Sequence, residues 1–310
     1  MASKRSGRRV QKGRDRPNRP WLPIAALLAA AALAGVLAAT FFVTRQQVSV
    51  PSIAPAGGEP VAWARLDTQD VHSLAFVPGS TDRLLFGHHG GVLETEDGGR
   101  SWDPLAVEED AMGMRPADDG SIVIAGHDVL QASYDAGSTW APIPTDLPSL
   151  DIHAFARDPD DPRRMWAYLA EGGLYESLDG GIGWSEVFDG HRPALVAVSR
   201  QEVTVLVGLD PFTGLVESDD GGRSWRSLGP PPSSPVLTLA ATSDGRSMVL
   251  GSTEGLFRSD DGGASWSERL LAGTVLAAAI SEDGSTVAAV TRETDFFRSD
   301  DGGRTWRGPT

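Results

Sequence analysis

The sequence predicts an all-β protein, a six-bladed β-propeller, preceded by one N-terminal transmembrane helix. Three observations lead to this prediction. An eight-residue unit occurs six times at a nearly constant spacing, four short apolar runs accompany each copy, and one long uncharged segment lies near the N-terminus. The expected organisation is a basic cytoplasmic tail (1–20), a transmembrane helix (21–43), a linker (44–60) and the propeller (61–310).

The N-terminal segment has the features of a signal anchor. The first 20 residues carry eight basic residues and one acidic residue, and residues 21–43 carry no charge. About 20 apolar residues are enough to cross a bilayer. Because basic flanks stay in the cytoplasm, the rest of the chain is expected outside it, at the cell surface or in the periplasm. The alternatives are a cleaved signal peptide, with an A-x-A site at 32–34, and a twin-arginine signal at 8–9.

Composition excludes several classes of protein. The chain has no cysteine, which rules out disulfides and thiolate metal sites. Without the basic tail, 41 acidic and 19 basic residues remain, a formal charge of −22. Nucleic acid is therefore not an expected partner. Residues 44–60 are rich in Pro, Gly and small residues with no apolar period, which is typical of a tether.

The eight-residue unit sets the period of the propeller. Its copies are TEDGGRSW (95–102), SYDAGSTW (133–140), SLDGGIGW (177–184), SDDGGRSW (218–225), SDDGGASW (259–266) and SDDGGRTW (299–306). The six tryptophans lie 38, 44, 41, 41 and 40 residues apart. Short apolar runs bounded by Gly, Asp, Pro and Ser predict strands. Four strands per period of ~40 residues is typical of a propeller blade.

The two ends of the propeller are predicted to share one blade. The last copy is followed by too few residues for a full outer strand, whereas residues 61–68 resemble an outer strand without a blade. Trp63 lies 39 residues before Trp102, where a blade tryptophan is expected. We expect the N-terminal strand to complete the sixth blade and close the ring, which removes its open edges.

Each eight-residue unit is expected to have a structural role. Its Asp can accept hydrogen bonds from nearby backbone N–H groups, and its Gly tolerates positive φ. Its Trp begins the outermost strand and is large enough to wedge between neighbouring blades. The residues assigned to these roles are Asp97, Trp102, Asp135, Trp140, Asp179, Trp184, Asp220, Trp225, Asp261, Trp266, Asp301 and Trp306.

The pattern S-x-D-x-G-x-[ST]-W resembles the Asp-box, or bacterial neuraminidase (BNR) repeat, of the sialidase-like β-propeller superfamily. This repeat is shared by sialidases, some plant-polysaccharide hydrolases, sortilin-type receptors and photosystem assembly factors. The resemblance covers residues 61–310, with Thr95 in place of the first Ser and Gly183 in place of a hydroxyl residue. It implies that the repeated loops lie on the rim away from the binding site, so function is expected on the opposite rim.

All six histidines map to that opposite rim. The residues expected to line the channel mouth are His72, His88, His89, His127, His153, His191, Met112 and Met114. Imidazole is a common metal ligand, and at least three ligands must converge to hold an ion. The candidate metal ligands are His72, His88, His89, His127 and His153. Zinc or copper is implied, with copper favoured if methionine takes part. The alternative is that these histidines are hydrogen-bonded channel residues with no ligand.

An enzymatic function is the second possibility. The superfamily resemblance implies three arginines that grip a carboxylate, a tyrosine nucleophile activated by a glutamate, and an aspartate as acid/base. The Arg-Ile-Pro signature of the first arginine is absent. The weak candidates that map to the rim are Arg115, Arg192, Arg292, Tyr168 and Glu171. Several rim acids could also serve a two-carboxylate hydrolase, namely Glu109, Asp110, Asp151, Asp210, Glu254, Glu293 and Asp295.

Together these observations favour a membrane-anchored, extracytoplasmic binding or assembly module that does not catalyse a reaction. Its channel mouth would receive a protein partner, a glycan or small ligand, or a metal ion, and the propeller is expected to be a monomer. The alternative is a sialidase-like exo-glycosidase at the cell surface.

Overall fold

The computed structural model describes residues 59–309, in which every regular element is a β-strand. The predicted tail, the predicted transmembrane helix and most of the linker lie outside the described residues. Within 59–309 no helix has the length and apolar character needed to cross a bilayer.

The strands form six antiparallel sheets of four strands, each of which is one blade. Blades 1 to 3 contain, in chain order, β2 (Ser73–Phe76), β3 (Leu84–His88), β4 (Gly91–Thr95), β5 (Asp103–Pro104), β6 (Gly113–Pro116), β7 (Ile122–Gly126), β8 (Val129–Ser133), β9 (Ala141–Pro142), β10 (Ile152–Arg157), β11 (Met165–Leu169), β12 (Leu174–Ser177) and β13 (Ser185–Phe188). Blades 4 to 6 contain β14 (Leu195–Arg200), β15 (Val203–Asp210), β16 (Gly214–Ser218), β17 (Arg226–Gly229), β18 (Val236–Ala241), β19 (Met248–Ser252), β20 (Gly255–Ser259), β21 (Leu271–Ala272), β22 (Val275–Ile280), β23 (Val287–Thr291), β24 (Asp295–Ser299) and, from the N-terminal end, β1 (Ala64–Arg65).

The ring closes through its N-terminal strand, as the sequence predicts. Strand β1 pairs antiparallel with β24, Ala64 opposite Phe296, and becomes the outermost strand of blade 6. The N–H of Trp63 donates to the carbonyl of Phe296 at 2.8 Å. The first strand of every blade contacts the first strands of both neighbours, including β22 against β2. The six-bladed β-propeller prediction is confirmed.

The apolar core of the protein is divided among the interfaces between blades. Six buried clusters lie one at each interface, and the cluster between blades 6 and 1 contains Phe86 and Phe296. The tryptophan of each repeated octapeptide packs into the cluster shared with the preceding blade. These side chains are Trp102, Trp140, Trp184, Trp225, Trp266 and Trp306. Each therefore contributes apolar area to a contact between blades.

The outer strands are shorter and begin later than the sequence predicts. Strands β5 and β9 start one residue after the tryptophan and contain only two residues each. In blade 5 the outer strand is Leu271–Ala272, several residues beyond Trp266. An outer strand has one neighbour, and the prolines that end β5 and β9 cannot donate to a ladder. For the same reason β1 uses only two of the eight residues predicted for it.

The two faces of the disk are built differently. Each octapeptide turn lies beside the turn between the first and second strands of its blade, for example through Gly98 N–H donating to the carbonyl of Asp82 at 2.8 Å. We call this face the octapeptide rim. At each of the six blade interfaces on this face, a side chain of one blade donates to a backbone carbonyl or a hydroxyl of the neighbouring blade. These side chains are Arg83, Arg157, Trp166, Arg200, Arg258 and Arg298. The opposite face, which we call the histidine rim, carries the connections into the first strands and the turns between second and third strands.

Candidate functional site

Seven acidic and imidazole side chains form a continuous row on the histidine rim across blades 1, 2 and 3. We call them the His–Asp row; along the row they are Asp70, His72, His89, Asp110, His127, Asp151 and His153. Three overlapping groups of two histidines and one aspartate lie within it, and in each group the ligand atoms lie within 4.8 Å of one another. Two imidazoles and a carboxylate at such distances are a common zinc ligand set.

Backbone pairing between successive segments brings the row together. The segment that leads into each first strand lies beside a turn between the second and third strands. His72 N–H donates to the carbonyl of Gly87 at 3.1 Å, and Ala111 N–H donates to the carbonyl of His88 at 3.3 Å. His127 forms a β-bridge with Asp151. Because inner strands line the channel of a propeller, residues at their start lie next to its mouth.

The first group joins Asp70, His72 and His89. His72 Nε2 lies 2.9 Å from His89 Nδ1, which in turn lies 2.5 Å from Asp70 Oδ2. Asp70 is held in place because its Oδ1 also accepts the backbone N–H of His89 at 2.9 Å. Ligands about 2 Å from a tetrahedral ion lie about 3.3 Å apart. The three side chains lie 2.5 to 3.6 Å from one another, so they would have to separate slightly to hold one ion.

The third group joins His127, Asp151 and His153. Asp151 Oδ1 lies 3.1 Å from His153 Nε2 and 3.5 Å from His127 Nε2. Both imidazoles are partly exposed, at 39% for His153 and 45% for His127, so an ion can reach them from solvent.

Asp110 lies between these two groups and is 8% exposed. Its Oδ2 lies 2.7 Å from His127 Nδ1, so the His127 ring is hydrogen-bonded on the side away from Asp151. Its Oδ1 lies 3.6 Å from His72 Nε2 and has no hydrogen-bond partner among the described residues. A buried carboxylate oxygen without a partner is costly, and a cation beside it would remove that cost.

The environment of the first group favours the metal-binding protonation state for two of its three side chains. Burial lowers the pKa of His72, which keeps its imidazole neutral. Burial raises the pKa of Asp70, but hydrogen bonds from His89 outweigh it and leave that pKa below its ordinary value. The hydrogen bond to Asp70 raises the pKa of His89, so an ion at this position competes with a proton.

The structure does not bring every predicted ligand into the row. The ring of His88 stacks near Phe86 and its Nδ1 accepts the N–H of Gly90 at 3.0 Å, so His88 does not join the row. His191 lies apart, with Nδ1 2.5 Å from the Tyr168 hydroxyl. Met114 is completely buried in the core between blades 1 and 2, so it does not line the channel mouth. Met112 is half-buried two residues beyond Asp110.

Two of the three proposed carboxylate-binding arginines are engaged in structural contacts. Arg192 is 2% exposed, pairs with Asp210 at 3.1 Å, and lies 4.4 Å from the ring centroids of both Phe188 and Trp225. Arg115 donates to the carbonyl of Met114 at 2.7 Å and to that of Leu195, in blade 4, at 3.3 Å. Burial lowers the pKa of Arg115 to about 10. Arg292 is exposed, so the three side chains do not form a shared clamp.

The proposed nucleophile lacks its activating partner. The Tyr168 hydroxyl is hydrogen-bonded to His191, whereas Glu171 is exposed and makes no hydrogen bond to it. Burial raises the pKa of Tyr168, which is the opposite of what an activated tyrosine requires. This geometry gives no support to Tyr168 and Glu171 as a catalytic pair, which stays a prediction.

A pattern in the sequence predicts the aspartates of the His–Asp row. The prediction of metal ligands from the histidines alone did not include these aspartates. Blades 1, 2 and 3 begin with DVH (70–72), DAM (110–112) and DIH (151–153), an acid followed two residues later by His or Met. These tripeptides recur with the period of the octapeptides. The equivalent segments of blades 4 to 6 have no such pattern.

Comparison with known proteins supports the fold class. No protein-family model and no curated protein sequence matches the chain. Among solved structures, a chain of the nidogen–laminin complex matches with a TM-score of 0.57 and 11% identity over 72% of this chain and 91% of that chain. A GH74 xyloglucanase from Xanthomonas campestris matches with a TM-score of 0.53 and 18% identity, over 80% of this chain and 46% of the xyloglucanase. YCF48 from Cyanidioschyzon merolae matches with a TM-score of 0.48 and 20% identity, over 80% of this chain and 88% of YCF48.

The closed ring of six blades, together with the likenesses to the nidogen–laminin chain and to the xyloglucanase, defines the chain as a β-propeller. This chain spans less than half of the length of the xyloglucanase. At such identities a shared fold is consistent with unrelated functions.

Proposed function

We propose that this protein is a membrane-tethered, extracytoplasmic binding module whose propeller holds a divalent transition-metal ion on the His–Asp row. The observation that carries the proposal is the convergence of two imidazoles and one carboxylate in each of three overlapping groups. An ion bound by three such ligands keeps an open coordination position. A partner segment or small ligand can fill that position, which suits a module that binds rather than one that catalyses.

The ligand set favours divalent zinc or copper over monovalent copper. Nitrogen and oxygen ligands suit Zn²⁺ and Cu²⁺, whereas a preference for Cu⁺ would require softer sulfur ligands. Met114 is buried in the core, so the sulfur ligands proposed from the sequence are reduced to Met112. Cu²⁺ binds such sites more tightly than Zn²⁺, so Zn²⁺, the ion expected first, is selected by metal availability and not by affinity.

The hydrolase alternative has weaker support from the same rim. The resemblance of the repeated octapeptide to the Asp-box connects the chain to sialidases and polysaccharide hydrolases, but the catalytic arginines and the tyrosine of a sialidase have no matching arrangement. Arg192 is buried against Phe188 and Trp225, and Tyr168 pairs with His191. We therefore propose a role without catalysis.

Metal retention by the full chain, purified in mild detergent, tests the proposal. After incubation with Zn²⁺ or Cu²⁺ and desalting, elemental analysis should find at least one ion per chain. His89→Ala should lower the retained metal, because His89 belongs to two of the three groups. His88→Ala is the matched control, since it removes a neighbouring imidazole that faces elsewhere.

Three results would contradict the proposal. The first is a wild-type chain that retains no stoichiometric metal, and the second is a His88→Ala chain that loses as much metal as His89→Ala. The third is turnover in a screen of glycan substrates that disappears on replacing Tyr168 or Glu171, which would make the protein a hydrolase.

A further inference from the structure

We infer that the His–Asp row holds two metal ions and that Asp110 links their sites. This inference rests on the proposed metal-binding function. It adds the number of ions per chain and the residue that couples their sites. The first site consists of Asp70, His72 and His89, and the second of His127, Asp151 and His153.

The two sites are separate because they share no side chain. His72 Nε2 and His89 Nδ1, 2.9 Å apart, supply the nitrogens of the first site. His127 Nε2 and His153 Nε2 supply those of the second, each within 3.5 Å of Asp151 Oδ1. Each set of three ligands is complete for a zinc ion that keeps one open position.

Asp110 contacts both sites through different oxygens. Its Oδ2 lies 2.7 Å from His127 Nδ1, a contact that favours the tautomer with the proton on Nδ1, and His127 Nε2 lies on the other side of the ring, 3.5 Å from Asp151 Oδ1. A carboxylate that orients a metal-binding histidine in this way is a regular partner of zinc sites, and its loss costs about 10- to 100-fold in metal affinity. His127 also donates its backbone N–H to the same oxygen at 3.2 Å, so the carboxylate cannot rotate freely.

The other oxygen of Asp110 supports the first site. Oδ1 is buried, has no hydrogen-bond partner among residues 59–309, and lies 3.6 Å from His72 Nε2. This distance places it within reach of an ion bound by that nitrogen, as a fourth ligand or through a water molecule. A buried carboxylate at 8% exposure with one oxygen satisfied and one unpartnered is explained if a cation normally faces the unpartnered oxygen.

The consequence is that the two sites are coupled. An ion at the first site draws on Asp110 Oδ1 and fixes the carboxylate, and the fixed carboxylate holds His127 in the tautomer that the second ion needs. By linkage, an ion at the second site must favour the first to the same degree.

Zinc titration of the full chain in mild detergent, followed with a competing chromophoric chelator, tests this arrangement. The wild type should bind two Zn²⁺ per chain. His72→Ala and His153→Ala, changes at part-exposed positions, should each leave one. Asp110→Asn should weaken both sites about tenfold or more, while His88→Ala should bind two ions with unchanged affinity.

The outcomes separate this inference from the proposed function. One ion per chain, abolished by either His72→Ala or His153→Ala, would overturn the two-ion arrangement and leave metal binding intact. Two ions whose affinities Asp110→Asn leaves unchanged would overturn the link between the sites. If no variant and no wild-type chain binds Zn²⁺, both proposals are wrong.

Discussion

Each octapeptide turn is built around one aspartate side chain that accepts hydrogen bonds from its own loop. Asp261 shows the arrangement: its Oδ1 accepts the N–H of Ser265 at 2.8 Å and its Oδ2 the Ser265 hydroxyl at 2.5 Å. The hydroxyl of Ser259 donates to Asp261 and accepts the N–H of Gly263, both at 2.8 Å. The hydrogen bond from Ser265 lowers the pKa of Asp261 from 3.8 to about 2.

Replacing this carboxylate should make stability less dependent on pH in acid. The lowered pKa means that ionised Asp261 stabilises the fold above about pH 4, and that this contribution is lost as the pH falls from 3.8 towards 2. Asp261→Asn should therefore lower the midpoint of urea unfolding at neutral pH and lower it less at about pH 3. Asp219→Asn, at an exposed acid for which residues 59–309 show no hydrogen-bond partner, is the control. An equal loss at both pH values would show that the charge of Asp261 does not matter.

At the same scale, the sequence could place the histidines on a rim but could not orient their rings. His88 and His89 are neighbours, yet His88 is the last residue of strand β3 and bonds within its own turn, whereas His89 faces Asp70. Neighbouring residues in a strand point to opposite faces, and a turn changes that alternation by amounts that sequence does not specify. The burial of Arg192 between two aromatic rings likewise depends on a residue in the next octapeptide, Trp225.

Among the elements, the strand β1 closes the ring of six blades although it contains only two residues. Its flanking Trp63 packs against the cluster of Phe296 and donates Nε1–H to the carbonyl of Arg307 at 2.5 Å. The guanidinium groups of Arg100 and Arg298 lie 5.0 and 5.3 Å from the Trp63 ring centroid, within cation–π range. The short ladder is thus supported by one aromatic side chain that contacts both ends of the propeller.

Trp63→Ala should destabilise the whole ring. Loss of a fully buried Trp costs about 3–5 kcal/mol, because apolar contacts disappear and a cavity remains. Trp63 is partly buried, so we expect a loss at or below the lower end of that range. Calorimetry or urea unfolding of the full chain would measure the change. The control is Val61→Ala: Val61 is 52% exposed in the same segment, and surface changes of this kind stay within about 0.5 kcal/mol. Equal effects of the two changes would show that β1 closes the ring without help from Trp63.

The element boundaries show which part of the fold the sequence could not predict. First and second strands such as β22 and β15 are largely buried, so their apolar runs locate them well. Outer strands such as β5 and β21 have one neighbour and two residues each, and their limits depend on how far the sheet twists away from its partner. The apolar pattern carries no information on that twist, whereas the octapeptide period was sufficient to give the number of blades.

For the molecule as a whole, the proposed binding role lies on one rim and the structural role of the octapeptides on the other. The octapeptide rim carries side-chain hydrogen bonds across all six blade interfaces, and the histidine rim carries the His–Asp row. Changes on the histidine rim should therefore alter binding with little effect on stability. The proposed anchor, residues 21–43, would hold this propeller outside the cytoplasm.

The orientation in the membrane can be measured on the full chain. A C-terminal alkaline phosphatase fusion should be active in a bacterial host, and the chain should resist extraction with alkaline carbonate. Replacing Leu27 and Leu28 with Arg should release it, since each arginine at the centre of a span costs about 2.5–3.5 kcal/mol. Leu22→Arg, at the end of the segment, is the milder control. An inactive fusion, or extraction of the unchanged chain by carbonate, would contradict the anchor.

Closure by β1 also determines the order in which the protein can mature. Trp63 emerges from the ribosome early, and its partner Arg307 lies 244 residues further along the chain. The pairing of β1 with β24, which closes the ring, can therefore form only after every blade has been synthesised. A chain interrupted before β24 leaves β1 without its partner and exposes free strand edges, which are sites for pairing with other chains.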